Sequence, residues 1–92
     1  MGNVASQIEE KLKAALAPDY LEVIDESFLH AGHAGARPEG ETHFRVIVVA
    51  AAFEGVSRLE RQRHVMDVLS DELNGPVHAL AIRARTPEEH KS

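Results

Sequence analysis

The chain has no cysteine and no tryptophan, and its only aromatic rings besides histidine are one tyrosine and three phenylalanines. Without cysteine there is no disulfide framework, no thiol nucleophile and no thiolate metal site built by this chain alone, which fits a reducing compartment. A cytoplasmic protein is therefore expected. Positive charge is also short: ten Lys and Arg face fifteen Asp and Glu, a formal net charge of −5. That balance excludes nucleic-acid binding through overall electrostatics and leaves only a local basic patch for it. Long apolar runs are missing as well. The longest, Phe44 to Phe53, contains an arginine and is about half the ~20 residues a membrane helix needs. The N-terminus lacks the apolar segment of a signal peptide. "MGNVAS" matches the myristoylation pattern of Gly2 with Ser6, although Ser6 has a competing structural reading.

Catalytic motifs are absent too. There is no GxxxxGK[ST], GxGxxG, HExxH or GxSxG, and no spacing of Ser, His and Asp suggests a triad. An enzyme is the least supported class. Ninety-two residues suit one domain over 1–92 with a single core.

What is present reads as alternating helices and strands. Val4, Ile8, Leu12, Ala15 and Leu16 recur at helical spacing, with Ser6 and Glu9 offering a capping box and Asn3 a competing cap. Pro18 ends that helix. Leu21, Val23 and Ile24 interleave with Glu22 and Asp25 as a first strand, and "HFRVIVVAAAF" reads as a central one. Ser57 caps a main helix with Glu60 at its third position, and Leu59, Val65, Met66, Val68, Leu69 and Leu73 supply its apolar stripe. "NGP" stops it, with glycine as the C-terminal signal. "VHALAIRA" is a third strand. Thr86, Pro87 and Glu89 open a short last helix whose tail, about 90–92, is expected to fray. The order is α-β-β-α-β-α, an α/β (α+β) arrangement with a three-stranded mixed sheet covered by helices on one face. The second and third strands, if parallel neighbours, require a right-handed crossover.

Three of the six histidines fall in "ESFLHAGHAGARPEGETHF", Glu26 to Phe44, where Gly32, Gly35, Pro38 and Gly40 prevent regular structure. Its irregular part, about 14 residues, exceeds the usual connection of about 4 to 6 and predicts a mobile loop, functional or disordered. His30 and His33 make half a metal site or stand as two solvated side chains; two imidazoles fall short of the four ligands of a closed zinc site. His43, at the start of the central strand, reads as a hydrogen-bonded edge residue. His78, two positions before Leu80 and four before Ile82, reads as a core or boundary histidine. His64 reads as a partly exposed helical residue, and His90 carries little information. Arg58, Arg61, Arg63 and His64 crowd the first turns of the main helix, where cations oppose the macrodipole. They suit either a partner surface or a solvated face with local ion pairs.

Taken together, "HAGHAG…GETHFRVIVV", "FEGVSRLERQRHVMDVLSDEL", "GPVHALAI" and "RTPEE" resemble the BolA family over about Ile8 to Glu89. The resemblance implies a class II KH-like fold without the GxxG nucleic-acid loop. It also implies a partner role: a heterodimer with a monothiol glutaredoxin sharing a bridging [2Fe-2S] cluster with glutathione, for iron-sulfur trafficking or iron homeostasis. The family's C-terminal histidine falls on His78 and its loop ligand on His30, with His33 the alternative. Imidazole ligation of one iron resembles Rieske centres. The family's frequent "RHR" is "RQR" here, with histidine displaced to His64, so the middle histidine's role does not carry over. Arg61, Arg63 and His64 are candidate contacts to a partner or nucleic acid. No cofactor is expected in the isolated chain, which is expected to be a monomer without a membrane partner. Two other readings remain: a DNA-binding transcriptional regulator using the KH-like surface, and a metal-free adaptor of glutaredoxin.

Overall fold

The computed structural model describes residues 3–26 and 42–91. Helix α1, Asn3–Leu16, opens the chain and sends Ala5, Ile8, Leu12 and Leu16 into the core. It starts a turn earlier than Ser6 was expected to cap it. Winding residues 3–6 into the helix is what lets Val4 and Ala5 pack inward, so Ser6 lies within the helix, while Ala15 faces solvent. The end comes where expected. Ala17 takes a left-handed φ of 45° and its N–H returns to the Lys13 carbonyl at 3.0 Å, just before Pro18 blocks continuation.

Strands β1, Tyr20–Asp25, β2, His43–Val49, and β3, Ala79–Arg85, form one sheet in the order β1-β2-β3. β1 runs antiparallel and β3 parallel to β2, so the sheet is mixed as expected. Alternation decides the faces. Phe44, Val46 and Val48 of β2 are buried under the helices, joined by Leu21, Val23, Leu80, Ile82 and Ala84. The intervening positions, including Glu22, Arg45, Ile47, Ala81 and Arg83, form the other face.

A 3₁₀ turn at Ala51–Phe53 buries Phe53, and Gly55 at φ 77° redirects the chain into α2, Arg58–Val68. Ser57 caps α2 as expected, accepting from the Glu60 N–H at 3.2 Å. The helix breaks at Leu69, whose φ is −102°, and resumes as α3, Ser70–Leu73. The expected stripe packs inward at Val65 and Leu69, with Val68 and Leu73 half-buried beside them, whereas Leu59 and Met66 are 62% and 46% exposed and Arg61 is buried instead. The bonds of Arg61 hold α2 in this rotation. Gly75 has no positive φ. A Cβ there would lie 3.2 Å from the Asp71 carbonyl oxygen, so it is close backbone approach that favours glycine.

Glu72 and Glu89 each tie separate elements together. Glu72, buried in α3, is held by Lys11 of α1 at 2.8 Å, and that carboxylate raises the Lys11 pKa. Glu89 lies in α4, Pro87–Lys91, and closes the expected capping box: its N–H donates to Thr86 Oγ1 at 3.1 Å, and Thr86 N–H donates to its Oε1 at 2.9 Å. The same carboxylate receives both terminal nitrogens of Arg61, at 2.7 and 3.3 Å. His90, expected in a fraying tail, instead lies in α4 with its ring stacked on Tyr20 at 5.3 Å.

The Arg61 hydrogen bonds, followed by the Thr86 N–H, hold the Glu89 pKa at about 2, below its ordinary 4.5. Because the folded value is the lower one, this contribution to stability is complete above pH 4.5 and is lost as pH falls toward 2. Urea midpoints measured across that window are expected to fall less steeply for Glu89→Gln than for the parent chain, with the parent more stable near neutrality.

Candidate functional site at the histidine end of the sheet

β2 and β3 start side by side, with His43 opposite Ala79 in the parallel register. Just before β3, the Thr42 carbonyl receives two N–H groups, from His78 at 2.7 Å and Ala79 at 3.2 Å. This pins the backbone that carries His78. The His78 side chain is exposed, which corrects the expectation of a core or boundary histidine. The physical reason is one residue upstream: Val77, 4% exposed, fills the core, and the strand begins only at Ala79, so His78 sits in the bend before alternation takes hold.

His43 adjoins it. The two rings lie 6.3 Å apart between centroids with planes 24° apart. His43 Nδ1 shares a 2.8 Å hydrogen bond with Oγ1 of Thr42, a fully buried residue. One threonine thus anchors both histidines, His43 through its hydroxyl and His78 through its carbonyl. A bond at one ring nitrogen orients the ring, the usual preparation of a metal-binding or proton-handling imidazole.

The pair offers two nitrogen donors on a backbone held at the ends of two paired strands. Among the described residues no group of three or more His, Cys, Asp or Glu is placed to hold a metal ion. His30 and His33 lie outside the described residues. His43 forms the hydrogen bond expected of it; its place beside His78 is what sequence reasoning missed. The signal was available: "THF" and "VHA" each open a strand, and setting those strands parallel and in register brings the two histidines together.

The other site candidates fall elsewhere. Arg61 is buried: besides Glu89, its Nε donates to the Val56 carbonyl at 2.8 Å and its Nη1 to the Ala84 carbonyl at 3.2 Å, with Phe53 beneath the guanidinium at 5.9 Å. This side chain braces α2, β3 and α4 from within, a different task from the surface contact expected of it. Arg63 remains 64% exposed and pairs with Glu60. With the exposed His64 it borders a cleft of about 270 Å³ that also touches Leu16, Phe53 and Val56. Those neighbours belong to the Val49 end of the sheet, so the arginine-histidine group and the His43–His78 pair occupy separate places.

Truncating a buried cation that serves three acceptors orphans each of them. Arg61→Ala is expected to lose about 2–4 kcal/mol in urea unfolding. Arg63→Ala and His64→Ala are expected to stay within about 0.5 kcal/mol of the parent chain.

Comparison with known proteins places these features in a family. The family model described as BolA-like protein matches residues 12–89. BolA-like protein 1 of Mus musculus is 53% identical over 88 residues, covering 96% of this chain and 61% of that protein, so the chain spans about three fifths of that relative. The DNA-binding transcriptional regulator BolA of Escherichia coli is 43% identical over 86 residues, covering 94% of this chain and 78% of that one. Among solved structures, the BolA domain of SufE1 from Arabidopsis thaliana superposes with a TM-score of 0.87 at 46% identity, covering 97% of this chain and 98% of that one.

Proposed function

Because the chain belongs to the BolA-like family, we propose that it is the histidine-donating partner of a monothiol glutaredoxin, sharing a bridging [2Fe-2S] cluster for iron-sulfur trafficking or iron-linked regulation. The observation that carries this reading is the exposed imidazole of His78, set beside His43 and anchored through Thr42. The donor set fits part of such a group: nitrogen donors suit iron, and a chain without sulfur ligands needs another protein for the thiolates.

In this reading His78 is one ligand, and the second comes from the loop, His30 with His33 as the alternative. A bound cluster supplies one-electron chemistry, and imidazole in place of thiolate raises its potential. This chain's residues present the donor and keep it in place. The two N–H bonds to the Thr42 carbonyl restrict the backbone at His78, while the Thr42 hydroxyl orients the neighbouring His43 ring. Iron binds neutral imidazole, so acid would weaken the hold of these side chains on such a cluster.

Anaerobic reconstitution with a monothiol glutaredoxin, iron, sulfide and glutathione tests this, read by visible absorption and circular dichroism. The mixed complex is expected to give a spectrum distinct from glutaredoxin alone. His78→Ala abolishes it, one of His30→Ala and His33→Ala does the same, and His43→Ala shifts it without removing it. Spectra identical to glutaredoxin alone in every mixture, despite association of the two proteins, would sink the ligand role and leave the metal-free adaptor.

A DNA-binding role is the second reading, favoured by the name of the Escherichia coli relative. Its minimum signature is DNA affinity that falls steeply with salt.

A further inference from the structure

β3 is an edge strand, and the side it turns away from β2 borders a groove of about 440 Å³. Arg58 and Gln62 of α2 line it from the helix, Ile82, Arg83, Ala84 and Arg85 from β3, and Glu89 from α4. A second hollow of about 290 Å³ continues along the same strand past Ala81 to Arg45. No ion pair among the described residues engages Arg58, Arg83 or Arg85. The carboxylate in the groove, Glu89, already holds Arg61, and Arg58 adds to the positive field that lowers its pKa without pairing with it. A chain of net charge −5 therefore gathers unpaired guanidiniums along one sheet edge.

The backbone there is also open. The Arg85 carbonyl accepts the Ala50 N–H at 3.0 Å and so faces the β2 side, whereas the Ala84 carbonyl faces outward to Arg61. Peptide groups alternate in direction along a strand, so those of Leu80 and Ile82 also face outward. Arg61 occupies the Ala84 end, and the stretch from Leu80 to Ile82 is left as a template for another strand.

We propose that this edge docks an extended acidic segment of another protein, which pairs with Leu80 and Ile82 as a fourth strand and sets its carboxylates against Arg58 on the helix side and Arg83 on the open side. Successive side chains of an added strand point to opposite faces, which matches guanidiniums lining the groove from both α2 and β3. A peptide fits better than a nucleic acid. Outward N–H and C=O groups are what a strand requires, and among the described residues no aromatic ring lines the groove to stack a base. The site lies along β3 beyond the His43–His78 pair, uses neither histidine, and stands whether or not a cluster is bound there.

The test uses the full chain labelled with ¹⁵N and a fluorescein-tagged synthetic peptide of repeated valine-glutamate-glutamate, which sets carboxylates on both faces of an extended strand. Binding is expected to shift the Leu80 and Ile82 amide resonances and slow their hydrogen exchange. Arg58→Glu and Arg83→Glu each weaken it by about fivefold or more, without changing the remaining amide spectrum. A charge-matched peptide with proline in place of valine has lost a strand N–H at each of those positions and is expected not to bind. Equal binding of the proline peptide, shifts confined to other residues, or tighter binding of a single-stranded DNA oligonucleotide to the same arginines each overturns the proposal. Failure of every probe would leave the arginines as guards against unwanted edge pairing, which also overturns it.

Discussion

A guanidinium placed inside a small protein has to be bonded on nearly every side, and Arg61 meets that condition by reaching α2's own approach, the end of β3 and the Glu89 carboxylate of α4. Much of the architecture follows from satisfying it. The rotation of α2 is fixed by turning Arg61 inward together with Val65 and Leu69, which puts Leu59 and Met66 outside. The last helix is held where Glu89 can serve both its own cap and the arginine. The same bonds cover the Ala84 carbonyl and so limit how much of the β3 edge stays open. One buried cation thereby links the helical layer, the sheet edge and the C-terminal helix.

Covering the sheet on a single face has the complementary effect. Core-facing positions of β2 are closed off, while alternate positions present Arg45 and Ile47 on the other side. Arg45 is steadied there by Glu26 at 3.0 Å. Chemistry-bearing residues therefore collect where the regular layers end: two histidines at the start of the parallel pair, and arginines along the outer strand. Both groups rest on backbone held by hydrogen bonds, which lets them be exposed without being loose.

Features set by local spacing were legible in the sequence. Ser57 with Glu60, and Thr86 with Glu89, are caps written within four residues, and both form. Element order and mixed pairing were also readable, because proline, glycine and β-branched runs punctuate the chain clearly. Ser6 misled because a good capping pattern yields to burial of Val4 and Ala5 one turn earlier. Within the α2 stripe only Leu59 and Met66 misled, for a related reason: hydrophobicity scores them above an arginine, and the tertiary partner Glu89 reverses that order. Gly75 was recognised as necessary, but the cause is a carbonyl 3.2 Å from where its Cβ would lie, a fact no local motif carries. The adjacency of His43 and His78 depends on register between strands far apart in sequence, which single-residue reading of each histidine does not reach.

That register has a further consequence, for the order in which the molecule assembles. Every partner pair between β2 and β3 is separated by 36 positions, since the strands run parallel and the intervening chain must travel the length of the sheet and return. Closing so long a loop gives nothing back until both strands are in place. Helices α2 and α3, which lie in that loop and bury Val65 and Leu69 against the sheet, shorten the effective search by making the loop partly rigid. Because α2 packs chiefly on β3, helix and strand form one unit that docks on β2 together, at the slower pace typical of mixed domains rather than of helical bundles. The two histidines become neighbours only at that last step, so the site completes when the sheet does.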